Sequence, residues 1–182
     1  MGDVIQGQLN IFSAQSQNVQ TLTYGSETSI LSVDAETKKP NQKMKIDGFA
    51  TIESSIPLGL TSYQYGVTLR VYRNSQLLFS QNLQQGAAAV LTLSFTQQNA
   101  LSFTWVDTVT SIGTYTYSVR IEFFSRSSTG VTAQTNTRAI AITTVKNSAR
   151  IRTLFLLMQH FIYITFMKSK SGKLLNISQN GS

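Results

Sequence analysis

The residues Gly113 to Phe124, GTYTYSVRIEFF, alternate without a slip between apolar and polar side chains. Tyr115, Tyr117, Val119, Ile121 and Phe123 leave on one side, and Thr114, Thr116, Ser118, Arg120 and Glu122 on the other. Successive side chains of a strand point to opposite faces, so a strict period of two specifies a half-buried β-strand and excludes an amphipathic helix. The same period runs through most of the chain. In YQYGVTLRVY (63–72), Tyr63, Tyr65, Val67, Leu69 and Val71 share one face, and after RNSQ (73–76) the chain resumes with LLFSQNL, which reads as a hairpin.

VLTLSF (90–95) and LSFTWV (101–106) are separated by TQQNA, read as a second hairpin, and TRAIAITTV (137–145) supplies a last strand. Upstream, QLNIFSA, VQTLTYG, TSILSVD and MKIDGFATIE carry the same alternation more thinly. AETKKPNQK (35–43) and SSIPLGLTS, each with one of the two prolines, read as connections. About nine or ten short strands with turn signals between them predict an all-β fold, an antiparallel sandwich or barrel. One apolar face per strand fits two sheets packed face to face.

The pattern changes near residue 148, which predicts a β-sandwich domain over 1–148 and a C-terminal extension over 149–182. LFLLMQHFIYITFM (154–167) is almost continuously apolar and flanked by basic residues. Fourteen helical residues reach about 21 Å, less than a hydrocarbon core of roughly 30 Å, so a membrane span is not expected. A further buried strand pair or helix, a surface-binding segment, or the product of a shifted reading frame are the readings of this stretch. Membrane contact by 154–167 is not the favoured one.

The net charge of +7 is concentrated from residue 146 onward: Lys146, Arg150, Arg152, Lys168, Lys170 and Lys173 are six of the fifteen basic residues, and no acid accompanies them. Residues 1–145 therefore hold nine basic and eight acidic groups. Such a body lacks the uniform positive field that attracts phosphate backbones, and nucleic acid is not an expected partner. The charged fraction of 13% is low, leaving a neutral surface rich in Ser, Thr, Gln and Asn.

Catalytic chemistry finds little foothold. The absence of cysteine excludes disulfides, thiolate metal sites and cysteine nucleophiles. The single histidine, His160, lies in the apolar run and cannot supply a multi-histidine metal site or serve as the base of a nucleophile pair on the sandwich. Asp47 and Glu53 flank one strand, Glu122 sits beside Arg120, and Asp107 follows FTWV where a strand is expected to end, as a turn former. Neither G-x-x-x-x-G-K-[ST] nor G-x-G-x-x-G occurs. No catalytic, cofactor-binding or metal-binding residues are expected, and the chain is read as not an enzyme. Trp105 alternates with Phe103 and Leu101 and is expected in the core. Asn176-Ile177-Ser178 fits a glycosylation sequon, and MGDVIQGQLNIFSAQ has no basic and apolar regions of the kind a classical signal peptide carries.

Tyrosine favours places where its ring is dry and its hydroxyl wet, and two such pairs, Tyr63 with Tyr65 and Tyr115 with Tyr117, stand at i and i+2. A subunit seam is one such place. GTYTYSVRIEFF, LSFTWVD, VTLRVYRNSQLLFSQ and NIFSAQ resemble, over roughly residues 8–145, the bacterial jelly-roll domains related to the complement globular head and tumour necrosis factor, found on Bacillus-type spore surfaces and fibres. The resemblance implies a jelly roll of nine or ten strands that assembles, usually as a homotrimer, through an aromatic interface, here Tyr115, Tyr117, Val119 and Ile121 with Tyr63, Tyr65 and Val67. The closing Gly and aromatic motif of that family is missing.

The function expected is therefore that of a self-assembling structural protein of a cell or spore surface, a homo-oligomer, trimer or filament. A glycan- or receptor-binding module using the tips RNSQ, TQQNA and SRSSTG is the alternative, and a jelly-roll viral capsid protein the second.

Overall fold

The stretch containing GTYTYSVRIEFF forms one strand of nine in a computed structural model that describes residues 10–88 and 93–145. In chain order these are β1 (Ile11–Ser16), β2 (Gln20–Leu22), β3 (Glu27–Thr37), β4 (Gln42–Ile56), β5 (Ser62–Arg73), β6 (Gln76–Ala88), β7 (Phe95–Val109), β8 (Gly113–Arg126) and β9 (Thr132–Val145). No helix occurs among the described residues. The expected extension, 149–182, lies outside them, as do His160, the 154–167 run and Asn176.

The strands form two antiparallel sheets. One has the order β1-β9-β4-β7 with β2 also on β9, and the other has the order β3-β8-β5-β6. β1 pairs Ile11–Ser16 with Arg138–Thr143, and β2 pairs Gln20–Leu22 with Ala133–Thr135 on the same partner, so the two are one strand interrupted at residues 17–19. Every connection then crosses between sheets except the β5–β6 hairpin. Four strand positions per sheet linked this way make a jelly-roll sandwich, as the sequence predicts. Asn10 donates to the Thr144 hydroxyl at 3.2 Å and accepts from the Thr144 amide at 3.1 Å, so the described chain enters and leaves side by side.

Alternation decides what fills the space between the sheets. Met44, Ile46, Ala50 and Ile52 of β4, with Ile140 and Ile142 of β9, face Tyr65, Val67, Leu69 and Val71 of β5 and Tyr117, Val119, Ile121 and Phe123 of β8. Each large apolar side chain removed from water here contributes roughly 1.5–3 kcal/mol. Gly48 of β4 points into this core opposite Phe103, and a Cβ there would lie 2.5 Å from the Phe103 ring and 2.9 Å from the Ala139 carbonyl. The Phe103 ring occupies the volume a side chain would need.

Four expectations are corrected. TQQNA (96–100) is not a hairpin: Thr96–Ala100 pair with Thr51–Ser55 inside β7, whose register with β4 runs unbroken from Phe95 to Val109. Its Gln97 and Asn99 point inward and are satisfied there, so residues that favour turns sit mid-strand. Asp107 does not end a strand either; it lies within β7, almost fully buried. Trp105 packs against Phe79 of the other sheet but remains 41% exposed, because β7 is an edge strand. The 35–43 loop contracts to the turn at residues 38–41, since β3 extends to Thr37 and β4 starts at Gln42.

Candidate functional site

The seven residues expected at a subunit seam occupy the inner face of the β3-β8-β5-β6 sheet. Tyr65, Val67, Tyr117, Val119 and Ile121 are buried in the core of a single chain, and Tyr63 and Tyr115 are partly buried against it. The correction has a plain cause: alternation says which residues share a face, and this face is covered by the opposite sheet of the same molecule. The Tyr63, Tyr65 and Tyr117 hydroxyls find polar partners between the sheets, and that of Tyr115 pairs with Ser111 at the exposed end of the sandwich.

Two polar clusters hold the Tyr63, Tyr65 and Tyr117 hydroxyls. Arg73 Nη1 donates to both oxygens of Asp107, at 2.9 and 2.7 Å, and the Tyr117 hydroxyl donates to Asp107 Oδ2 at 2.9 Å. Gln76, the first residue of β6, accepts from Arg73 Nη2 at 2.6 Å. Burial, reinforced by the hydrogen bond to Asp107 and its charge, pushes the Tyr117 hydroxyl well above its ordinary value. Nearer the other end of the sandwich an amide ladder joins the two sheets. Gln85 of β6 donates to Asn99 at 3.0 Å and accepts from Gln97, Asn99 donates to the Tyr65 hydroxyl at 2.7 Å, and the Tyr63 hydroxyl reaches Gln97 at 3.4 Å. Burial is the main cause raising the Tyr65 hydroxyl.

The outward faces carry most of their carboxylates in hydrogen-bonded networks. On the β3-β8-β5 face, Arg70 bridges Glu27 at 3.1 Å and Glu122 at 2.8 Å, Arg120 reaches Glu27 at 3.3 Å, and Tyr72 donates to Glu27 at 2.9 Å. Burial works to raise the Glu27 carboxyl, but the hydrogen bonds from Tyr72, Arg70 and Arg120 outweigh it and hold it below its ordinary value. On the opposite face Glu53 accepts from Gln134, Asn136 and Gln98, while Asp47 accepts from Lys45 at 2.9 Å and Thr104 at 2.8 Å. The hydrogen bond from Lys45 leads in lowering Asp47. Among the described residues no three His, Asp or Glu side chains converge as metal ligands would.

Arg138 escaped the sequence reading. It points inward from β9 and donates to the carbonyls of Ile30 (2.8 Å), Asn18 (2.7 Å) and Asn136 (3.0 Å) and to the Gln20 side chain (3.1 Å). It fastens the interruption between β1 and β2 to β3. Burial lowers its guanidinium from the ordinary value. The signal available was a charge on the apolar face of TRAIAITTV.

Several depressions among the described residues are open to solvent. A groove of about 780 Å³ crosses the outward face of the β1-β9-β4-β7 sheet, over Ser13, Asp47, Ser102, Ala139 and Ala141, with Phe49 beside it 37% exposed. A second, of about 400 Å³, lies at one end of the sandwich among Arg73, Asn74, Gln76, Ser111 and Tyr115. Asn74 turns the β5–β6 hairpin in the left-handed conformation (φ 52°) and ties it to Thr116 through two hydrogen bonds, at 2.6 and 3.0 Å.

No known protein family matches the chain. No curated protein matches it in sequence. Among solved structures, that of infectious bursal disease virus Gx strain is similar over 79% of this chain and 33% of its own, with 12% identity and a TM-score of 0.45. The VP2 subviral particle of infectious bursal disease virus is similar over 75% of this chain and 33% of its own, with 9% identity and a TM-score of 0.42. Dimeric latent PorU from Porphyromonas gingivalis is similar over 75% of this chain and 13% of its own, with 8% identity and a TM-score of 0.37. The chain thus spans about a third of the length of the viral chains and far less of PorU. Likenesses at this level concern strand layout, and the question of role returns to the residues.

Proposed function

We propose that the chain is a non-enzymatic structural protein that assembles with copies of itself into an outer layer or fibre, at a cell or spore surface. The observation that carries this reading is the outward face of the β1-β9-β4-β7 sheet. It is a broad, nearly neutral surface of small side chains, Ser13, Ser102, Thr104, Ala139 and Ala141, crossed by the open groove described above. Small side chains let another surface approach closely, and a nearly neutral one is cheap to dehydrate. The carboxylates bordering it, Asp47 and Glu53, are held by Lys45 and by side-chain amides rather than presented to a substrate. Among the described residues the space between the two sheets is filled by apolar side chains.

The resemblance over residues 8–145 favours the spore or fibre setting. The jelly-roll strand order is also that of viral coats, and fold alone does not choose between the two. Light scattering of the full chain with electron microscopy of the same sample tests the proposal. Discrete particles, sheets or filaments are expected; a strictly monomeric protein at high concentration refutes it.

A second reading rests on the 400 Å³ depression beside the β5–β6 hairpin. Asn74, Gln76, Ser111 and the Tyr115 ring offer the amides, hydroxyls and flat apolar surface that a sugar engages. Glycan binding abolished by Tyr115→Ala, with assembly intact, favours it over the first.

A further inference from the structure

The edges of the two sheets are not equally protected. A free edge strand presents unpaired amides and carbonyls, and proteins blunt such edges with interruptions, bulges, charges or proline. On one flank both edges are blunted. The β1/β2 strand is broken at residues 17–19, and β3 has a register break between Ser29 and Leu31 and carries Glu27, Asp34 and Glu36. On the other flank β6 has a register break opposite Val71 and Tyr72, and contains Gly86.

β7 has none of these devices. Its fifteen residues, FTQQNALSFTWVDTV, contain no Pro, Gly, Lys or Arg, and its only charge, Asp107, points inward onto Arg73. Its register with β4 is continuous, so the edge is straight, and among the described residues β4 is its only strand partner. Phe95, Trp105 (41%) and Val106 (50%) are exposed along it. At about 3.4 Å per residue it offers an edge roughly 50 Å long.

We propose that β7 is the assembly edge, pairing antiparallel with β7 of a second copy of this chain across a two-fold axis. The inference rests on the self-association proposed above and adds to the outward face of the β1-β9-β4-β7 sheet a contact along that sheet's β7 edge. The strand is self-complementary in the register that pairs its full length. Ser102 meets Ser102 on the axis, Ala100 meets Thr104, Gln98 meets Val106, and Asp107 meets the neutral Gln97. No like charges oppose one another, which is the pairing that antiparallel sheets penalise. Main-chain hydrogen bonds continue the β1-β9-β4-β7 sheet into the partner, and their two-fold arrangement closes the contact as an isologous dimer.

The test exploits Ser102, which is exposed, and the absence of cysteine from the chain. Opposed Cα atoms of antiparallel strands lie about 4.5–5.5 Å apart, within the roughly 4.4–6.8 Å that a disulfide spans. Oxidised Ser102→Cys is expected to run as a covalent dimer, whereas Ser13→Cys, on the opposite edge, is not. Ser102→Lys and Ser102→Glu are each expected to lose the assembly in light scattering and to regain it when mixed. If wild type assembles while both charge variants keep its mass and Ser102→Cys stays unlinked, the β7 pairing is overturned and self-association stands. A monomeric wild type removes both. Should a charge variant fail to fold, the cysteine pair decides alone.

Discussion

Removing the carboxylate at Asp107 tests whether the Arg73–Asp107–Tyr117 cluster is a coupled unit. Its side chain is 8% exposed and receives three hydrogen bonds, two from Arg73 and one from Tyr117. Asp107→Ala leaves a guanidinium without its counter-charge and a buried hydroxyl without an acceptor. Loss of one partner from a buried pair costs about 3–5 kcal/mol. Arg73 is itself 17% exposed and keeps Gln76, so the lower end applies, near 3 kcal/mol. Tyr117→Phe removes a single bond to a charged acceptor that retains Arg73, and about 1.5 kcal/mol is expected. Urea unfolding of Asp107→Ala, Arg73→Ala and the double variant reads the coupling directly. The double variant is expected to be more stable than the sum of the single losses implies, by about 1–3 kcal/mol. Strict additivity, or an Asp107→Ala loss smaller than that of Tyr117→Phe, refutes the account.

The same unfolding measurements carry the remaining predictions. Gly48→Ala should destabilise by about 1–3 kcal/mol through its clash with the Phe103 ring, and Phe103→Leu in the same chain should recover part of that loss. Because Glu27 titrates below 4.5 when folded, its contribution is complete above that pH and disappears as acid carries it through the lower folded value; Glu27→Gln should flatten this part of the stability profile. Tyr117 titrates above 10.0 when folded, so stability should fall as pH rises past 10.0, and less steeply in Tyr117→Phe. Arg138→Met should open the β1–β2 interruption, seen as faster proteolytic cleavage near residues 17–19 before global unfolding.

The strands were legible in the sequence because their alternation is a direct image of two-sided burial. YQYGVTLRVY and GTYTYSVRIEFF became β5 and β8, the central pair of their sheet, and RNSQ became the hairpin between β5 and β6. What alternation cannot encode is who covers a face. Tyr65 and Tyr117 satisfy the same local pattern whether the cover is the opposite sheet or another subunit, and only the three-dimensional partners, Asn99 and Asp107, distinguish the two. Gln97, Asn99 and Asp107 were misread for a related reason. Their intrinsic preference for turns is local, whereas the partners that hold them in a strand, Gln85, Tyr65 and Arg73, are contributed by β5 and β6. The interruption at residues 17–19 and the role of Arg138 likewise depend on contacts more than a hundred residues apart in sequence.

The juxtaposition of Asn10 with Thr144 has a mechanical consequence. Tension applied between these two points acts across the β1–β9 pair rather than along it, loading one hydrogen bond at a time from Ile11 and Thr143 onward, as a zipper opens. A pull on both ends of this domain therefore peels its first strand away at low force, while a pull along β7 has to shear a whole row of bonds at once.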